Sequence, residues 1–539
     1  MVDVRQETHT PKLEPPSRLC SFGERRSTPR QPLFANWFAA AARTYVLDAT
    51  ACLGLFIATC LLAGRVWRSP FDDEVSTLAY VEQSRSIGEL SGIVGAGIGF
   101  HPPLLFLYLH ALHRLGLSEA GMRLVSLMMT GLSLTLTQLL TLAMIARHTD
   151  GIVRPSTRLL AALLFALSPL AIGVGDAIRW YPLFALLIAL FLLLYVAGGH
   201  QLTKLASAVP LGLAASTNFI ALAAVGPFLL YRYVLERRIR PAFDAAYWLL
   251  FSMFACLAAP KALSLASHDL PRIARSEFGD GPLRAVATDV LGFFGGNAVG
   301  IGQAWVVIPI ALMTGWAALS AVNRERRDDP THLVLLMLGG MLLMMLAGFA
   351  KPRSFLYLAP AIAMILTLFM DRKSSERKTG RWLLMTALIL APSAGAIANV
   401  THSTRPFKRN AAIPFGQVLD FIRTNEKGRT LIISSDPVVV WELRHDRPRD
   451  QRCVTYFGDR RSCFASDRQY DSIFVISGNS NRSSDAGSMT QFAVRLDALL
   501  AGRRKVAELH AGRDDDAALK TWLTGVPLDE FILSVQLYR

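Results

Sequence analysis

Three consecutive acidic residues, Asp72, Asp73 and Glu74, follow the first long apolar run of the sequence. Adjacent carboxylates repel one another unless a cation or a hydrogen-bond donor binds them, so such a cluster suggests a general base or a metal ligand. The alternative is an ordinary helix start, because the helix dipole favours carboxylates in the first turn. The cluster alone does not separate these two interpretations.

Two prolines follow His101 at the start of a short apolar segment. They fix an extended entry into that segment and would hold His101 at its edge. The alternative is simple helix-start chemistry, with proline near the first helical position.

A short turn between two apolar runs carries Asp176, Arg179, Trp180 and Tyr181. An acid and a cation at this place could line a polar cavity. Alternatively, Asp176 and Arg179 could pair with each other at their i, i+3 spacing, with the two aromatic residues as interface anchors.

Two cations, Lys351 and Arg353, lie shortly before Tyr357 at the start of a late apolar run. An arginine fork binds phosphate well, so these residues suggest an anionic partner. The loop 264–302 adds three weaker candidates, His268, Arg272 and Arg275.

The elements that must position these residues are membrane helices. The chain is 52% hydrophobic and 18% charged, with mean hydropathy +0.35, whereas soluble domains carry about a quarter charged residues. Apolar runs of about 17–20 residues recur between Tyr45 and Val400 and predict about eleven spans. The predicted spans are 45–64, 123–146, 159–175, 182–198, 204–216, 218–231, 243–263, 303–321, 332–350, 355–370 and 382–399.

The positive-inside rule sets the predicted orientation. With the N-terminus in the cytoplasm, successive basic clusters around Arg147, Arg232, Arg324 and Arg372 all lie on the cytoplasmic side. This parity requires that residues 101–115 form a re-entrant or interfacial helix on the outer side. The alternative is that they form a short true span, which would reverse the orientation of every later loop. The net charge of +15 is then explained by short cytoplasmic loops, and no nucleic-acid partner is expected.

Three regions follow from these patterns. Residues 1–44 are expected to be a disordered cytoplasmic tail, residues 45–400 the membrane domain, and residues 401–539 a small α/β domain in the periplasm. In that domain the patterns predict a helix at 414–424, strands at 431–434, 473–477 and 531–537, and helical segments near 488–502 and 514–524. Cys453 and Cys463 could pair there, a question that two cysteines leave open.

The order of the four motifs resembles that of the GT-C fold membrane glycosyltransferases. The branch concerned contains protein O-mannosyltransferases, lipid A aminoarabinose transferases and rhizobial galacturonosyltransferases. Its members have an Asp-Glu pair in the first outer loop, like Asp73-Glu74, then a Pro-Pro-Leu element, like residues 102–104. An Arg-x-Tyr turn follows, like Arg179 to Tyr181, and residues 352–363 resemble a late segment of the family. Many relatives have Gln-Glu before that arginine, and the aminoarabinose transferases have Lys where His101 stands.

The resemblance implies an enzyme of the bacterial inner membrane that transfers a sugar from a polyprenyl-phosphate donor to a lipid, glycan or protein acceptor on the periplasmic face. It implies Asp73 as general base, with Glu74 assisting or binding a divalent metal such as Mg or Mn; no cofactor is otherwise expected. It assigns donor and phosphate binding to His101, Asp176, Arg179, Tyr181, Lys351, Arg353 and Tyr357. Asp72 is an additional acid, so the register of the base could shift by one residue.

Two other classes of membrane protein compete with this interpretation. Many transporters and lipid flippases show internal repeats with broken helix pairs in both halves, and this sequence shows no such duplication. A structural or sensory membrane protein would leave the acidic cluster and the cations near Arg353 unexplained. The transporter or flippase is the main alternative function.

Overall fold

The computed structural model describes the larger part of the chain. The described residues are 43–67, 72–84, 86, 88–89, 102–148, 153–198, 200–237, 239–259, 294, 304–324, 330–346, 352–373, 389–390, 393, 396–397, 415–434, 437–445, 452–456, 470–478, 496–513 and 531–539. The predicted tail at 1–44 falls almost entirely outside this set.

Most of the described chain is helical. The helices of the membrane domain are α1 Val46–Leu62, α2 Asp72–Gln83, α3 Leu104–Arg114, α4 Glu119–His148, α5 Pro155–Ala166, α6 Pro169–Val174, α7 Trp180–Leu192, α8 Gln201–Ala206, α9 Ala208–Ala215, α10 Leu222–Leu230, α11 Pro241–Ala255, α12 Ala304–Arg324, α13 Pro330–Leu346 and α14 Ala359–Lys373. Short 3-10 segments lie at Arg65–Trp67, Phe219–Ala221, Cys256–Ala258 and Pro352–Leu358, and π-helical turns at Leu193–Ala197 and Tyr231–Glu236.

Apart from α2 and α3, these helices fall where the apolar runs predict spans. Within the described residues, six continuous helical segments are long and apolar enough to cross a membrane, so the chain is a multi-pass membrane protein. The helices α1, α12 and α13 are apolar but contribute shorter stretches. The predicted span 204–216 is instead two short helices, α8 and α9, and the predicted span 382–399 lies mostly outside the described residues. The total of eleven spans stays a prediction.

Residues 101–115, which are excluded from the predicted span count, contain the short helix α3. Helix α3 has 11 residues, which gives a length of about 16 Å at 1.5 Å per residue. A bilayer core is about 30 Å thick, so α3 by itself cannot cross it. It packs against α2, the helix that begins with the acidic cluster.

Helix α4 is the central element of the membrane domain. Its 30 residues contact α1, α7 and α14. The buried hydroxyls of Thr135, Thr137 and Thr141 donate to backbone carbonyls one turn earlier, which satisfies them inside the apolar core. The N-terminal turn of α4 brings Glu119 and Arg123 to the same end of the helices as α2.

The C-terminal region is an α/β domain. Its elements are α15 Phe415–Asn425, β1 Thr430–Ser434, α16 Pro437–His445, β2 Arg452–Tyr456, β3 Ser472–Gly478, β4 Lys505–Arg513 and β5 Phe531–Tyr538. The strand order is β2-β1-β3-β5-β4, with β2, β1 and β3 parallel and the pairs β3–β5 and β4–β5 antiparallel. The predicted helix and three predicted strands are confirmed. The structure adds β2, β4 and α16, which the sequence patterns missed.

Two other predictions for this domain have partial outcomes. Residues 496–500 are helical within the segment predicted near 488–502, whereas the segment 514–524 lies outside the described residues. Cys453 is disulfide-bonded, whereas Cys463 lies outside the described residues, and with it the question of whether these two cysteines pair.

The C-terminal domain rests on the membrane helices. Helix α16 packs against α2, and Trp441 of α16 donates its indole N–H to Glu119 Oε1 of α4 over 3.0 Å. One cluster of buried apolar residues includes members of both regions. The domain is therefore in contact with the two helices that carry the candidate functional residues.

Candidate active site

Glu74 is the best-defined acid of the cluster. It lies in the first turn of α2, it is completely buried, and both of its carboxylate oxygens are 3.2 Å from Arg123 Nη1. Glu74 Oε1 also accepts a hydrogen bond of 2.7 Å from the backbone N–H of Ile178. Arg123 is only 1% exposed, so this pair has little screening by water.

Asp176 is the second buried acid of the site. Its Oδ1 atom is 2.9 Å from Arg65 Nη2, and its Oδ2 atom is 3.8 Å from Arg123 Nη1. Arg65 also donates to the backbone carbonyl of Gly173. The ion pair of Asp176 thus joins the turn after α6 to the 3-10 segment that follows α1.

Arg179 fixes the same turn to α2. Its Nη1 donates to Thr77 Oγ1 over 2.6 Å, and Thr77 lies one turn after Glu74. Together with the bond between Ile178 and Glu74, this contact holds α2 at two points.

The close packing of the turn depends on Gly175. A Cβ atom at this position would lie 2.3 Å from the carbonyl oxygen of Ala171 and 2.9 Å from Thr130 Cγ2. The Thr130 hydroxyl donates to the Gly175 carbonyl over 2.9 Å, which ties the turn to α4 as well. A larger residue would therefore displace the turn that carries Asp176 and Arg179.

Among the side chains that the structure describes, the charges of this cluster are balanced. Glu119 of α4 is 37% exposed and lies 3.8 Å from Arg123 Nη2. Three guanidinium groups and three carboxylates then occur together. They are Arg65, Arg123, Arg179, Glu74, Glu119 and Asp176. Balanced charges with mutual hydrogen bonds are the arrangement in which buried ions are tolerated.

An aromatic row links the turn at 175–181 to the segment that carries Arg353. The ring of Trp180 lies 4.5 Å from that of Tyr181 and 5.5 Å from that of Phe184, and Phe184 lies 5.0 Å from Tyr357. All four rings are buried. The Tyr357 hydroxyl has no hydrogen-bond partner within the described part of the chain.

The other predicted site residues are described in part or not at all. Asp72 and Asp73 open helix α2, and Arg353 lies in the 3-10 segment Pro352–Leu358, but their side chains are outside the described set. His101, Lys351, His268, Arg272 and Arg275 also lie outside the described residues. Glu74, Asp176, Arg179, Tyr181 and Tyr357 are described, and the first three belong to one cluster.

Sequence reasoning missed half of this cluster. Arg65, Arg123 and Glu119 do not stand in conspicuous motifs, and Arg123 looks like an ordinary residue at the start of an apolar run. The available signal was a charge at the edge of a membrane helix, which marks functional or paired residues in membrane proteins. Among the described residues, no group of three His, Cys, Asp or Glu side chains is arranged to hold a metal.

The contacts of Glu74 and Thr77 hold the N-terminal turn of α2 in a fixed orientation. Glu74, in that turn, is held by Arg123 and by the Ile178 amide, so its carboxylate is occupied. Asp72 and Asp73 begin the same turn of the helix. The chemistry that this permits is proton transfer by an acid of a rigidly held helix start, close to several cations.

Comparison with solved structures identifies the fold. The chain matches ArnT from Cupriavidus metallidurans in the apo state with a TM-score of 0.51 and 12% identity, over 91% of this chain and 98% of that chain. It also matches ArnT from the same organism bound to undecaprenyl phosphate, with a TM-score of 0.50 and 12% identity, over 92% and 98% of the two chains. ArnT is a lipid A aminoarabinose transferase of the GT-C class.

This protein therefore has the GT-C fold of membrane glycosyltransferases, as the order of its motifs predicts. At 12% identity, the likeness concerns the fold. No family model matches the sequence, and no curated protein matches it either.

Proposed function

We propose that this protein is a glycosyltransferase of the bacterial inner membrane. It moves a sugar from a polyprenyl-phosphate donor to a lipid, glycan or protein acceptor on the periplasmic face. The observation that carries the proposal is the anchoring of the acidic helix start by Arg123 and Ile178, within a GT-C fold. The solved neighbour bound to undecaprenyl phosphate supports a donor of this lipid class.

Asp73 is the proposed general base. It accepts the proton of the acceptor hydroxyl while the oxygen of that hydroxyl bonds to the anomeric carbon of the sugar. The bond from that carbon to the phosphate oxygen breaks, and the lipid phosphate leaves with the bonding electron pair. Carboxylates also stabilise the oxocarbenium-like transition state of sugar transfer. A reaction with a phosphate leaving group on the donor requires no nucleotide.

Glu74 is assigned a positioning role in this scheme. Its carboxylate holds Arg123 and the Ile178 amide, so it fixes the helix turn that starts with Asp72 and Asp73. A divalent cation such as Mg²⁺ or Mn²⁺ is not assigned to Glu74, because it would face the charge of Arg123, and at Asp73 it would lower the basicity that the proposed proton transfer needs.

Donor phosphate binding is assigned to Lys351, Arg353 and the Tyr357 hydroxyl. Cations near the departing phosphate stabilise its developing charge, and a tyrosine hydroxyl can donate to it. The aromatic row from Trp180 to Tyr357 supports placing these groups beside the turn that carries Arg179. His101 and Tyr181 are proposed to contact the donor, and the contacts of Arg179 and Asp176 favour roles in holding the turn.

The periplasmic location of the C-terminal domain rests on two arguments. The positive-inside rule puts the residues after the last predicted span outside. In addition, Cys453 is disulfide-bonded, and disulfides persist in oxidising compartments such as the periplasm.

A direct transfer assay tests the proposal. Purified protein is incubated with a polyprenyl-phosphate sugar and lipid A or envelope glycan acceptors, and products are identified by mass spectrometry. Asp73→Asn keeps the side-chain volume but cannot accept the proton, so we expect a loss of about 10²–10⁴ in rate. Asp72→Asn is the matched control and should retain most of the activity.

The outcomes separate the alternatives. Full activity of Asp73→Asn with an inactive Asp72→Asn would move the base by one residue. Wild-type turnover in both variants would remove this helix start from the chemistry. Movement of the lipid between leaflets without any sugar transfer would favour a flippase.

A further inference from the structure

The C-terminal domain contacts the buried charge cluster through a directed hydrogen bond. The indole N–H of Trp441 donates to Glu119 Oε1 over 3.0 Å, and Trp441 is only 8% exposed. The other carboxylate oxygen of Glu119 is 3.8 Å from Arg123 Nη2. Arg123 in turn faces both oxygens of Glu74. A chain of contacts therefore runs from the soluble domain to the acidic helix start.

We propose that Trp441 is a positioning residue, through which the docked C-terminal domain holds Glu119 and Arg123 in the geometry that orients helix α2. The proposal rests on the proposed function, because it assigns the domain a role in setting up the same site. Trp441 and Glu119 lie 322 positions apart in sequence, so only the folded and docked domain creates this contact.

The physical argument starts from the exposure of Glu119. At 37% exposed, its carboxylate would rotate between Arg123 and water if nothing fixed its other oxygen. The indole N–H removes that freedom at one oxygen and leaves the second oxygen directed toward Arg123. Because Nη1 and Nη2 belong to one planar guanidinium, an orientation imposed at Nη2 also orients Nη1 toward Glu74.

The docking has contacts other than this hydrogen bond. Helix α16 packs against α2, and its side chains Val439 and Leu443 are buried and belong to the apolar cluster that includes residues of the membrane helices. A phenylalanine at position 441 keeps an aromatic ring in this cluster and removes only the N–H group. We define the relay as the contacts from Trp441 through Glu119 and Arg123 to Glu74. The Trp441→Phe variant therefore tests this relay with the domain still folded and docked.

Kinetic measurements on the intact protein make the first test. We expect Trp441→Phe to lower kcat by about two- to thirtyfold at unchanged donor KM, the range typical of residues that act through a coupled network. Glu119→Ala should have an effect at least as large, and adding Trp441→Phe to Glu119→Ala should change nothing further. Multiplicative effects of the two substitutions would overturn the relay.

Trp248→Phe is the matched control. It removes an indole hydrogen bond of similar length, 2.7 Å to the Tyr233 hydroxyl, from a different part of the membrane domain. Its kcat and KM should equal those of the wild type. A loss equal to that of Trp441→Phe would show that any lost indole bond has this effect, and would overturn the proposal.

Hydrogen–deuterium exchange tests the relay without any turnover. In Trp441→Phe, the amides of residues 72–83 and 175–179 should exchange faster than in the wild type, while those of residues 430–434 stay unchanged. Faster exchange confined to residues 437–445 would overturn the proposal. If the wild type transfers no sugar, the proposed function fails and exchange alone decides the relay. If the wild type is active and Trp441→Phe matches it in kinetics and exchange, only the relay fails.

Discussion

Replacing Arg123 with methionine would remove the guanidinium that faces both oxygens of Glu74. Methionine keeps an unbranched apolar stem of similar length, so the change is mainly the loss of charge and of hydrogen bonds. Glu74 is completely buried and Arg123 is 1% exposed, so no solvent correction applies to their interaction. The variant therefore measures what the loss of the guanidinium costs at a carboxylate that keeps its hydrogen bond from the Ile178 N–H.

The magnitude follows from the geometry. Two unit charges 3.2 Å apart attract by about 5 kcal/mol at an effective dielectric constant of about 20. Removing one partner of a buried pair typically costs about 3–5 kcal/mol, because the remaining ion is left without compensation. We expect Arg123→Met to lower the free energy of unfolding by about that amount.

The assay is a double-mutant cycle on the detergent-solubilised protein. Unfolding free energies are measured for the wild type, Arg123→Met, Glu74→Gln and the double variant. Neutralising Glu74 should recover part of the loss, so the double variant should be about 2 kcal/mol more stable than the sum of the single effects predicts. Additivity within about 0.5 kcal/mol would refute the argument that the buried pair stabilises this site.

A second ion pair provides the control. Arg158 Nη2 lies 2.7 Å from Asp48 Oδ2, a shorter contact than that of Arg123, but the two side chains are 34% and 18% exposed. Partly exposed pairs are screened by water, so Arg158→Met should lower the free energy of unfolding by about 1 kcal/mol or less. A cost equal to that of Arg123→Met would mean that burial does not determine the effect.

Three further predictions concern the donor and the topology. Arg353→Ala should raise the donor KM by about ten- to a hundredfold, because it removes one charge-assisted hydrogen bond to the donor phosphate. An unchanged KM in the folded variant would remove Arg353 from the site. Tyr357→Phe should raise the donor KM by about tenfold without loss of stability, because the Tyr357 hydroxyl has no hydrogen-bond partner in the described part of the chain. Lower thermal stability at unchanged KM would contradict this assignment. Reporter fusions after Thr401 should report the periplasm and fusions within 372–381 the cytoplasm, and a cytoplasmic C-terminal domain would refute the odd span count.

Local patterns were sufficient for much of the secondary structure. Ten of the predicted spans fall on helical segments, because helical structure satisfies the backbone hydrogen bonds of an apolar run inside the run itself. The buried strands at 431–434 and 473–477 were also recognisable as short apolar runs. Strand β4, KVAELHAGR, mixes charged and apolar residues at the edge of the sheet, and its place is set by pairing with β5.

Local patterns were less informative about the candidate site. The sequence brought forward Asp73, Glu74, Asp176 and Arg179 because acids and arginines are conspicuous at the ends of apolar runs. It suggested that Asp176 and Arg179, three residues apart, could pair with each other. The structure instead pairs Asp176 with Arg65 and directs Arg179 toward Thr77, each on a different element.

The sequence by itself determined that this chain is a membrane protein with acids and cations at the ends of its helices and a separate α/β domain. The hydrophobic effect and backbone hydrogen bonding act locally enough to be recognised in runs of about twenty residues. Only the tertiary structure decided which charges meet, since Glu74 pairs with Arg123 49 positions away and Trp441 reaches Glu119 across 322. Coulomb attraction and hydrogen bonds depend on distance in space, and the packing of the helices sets that distance.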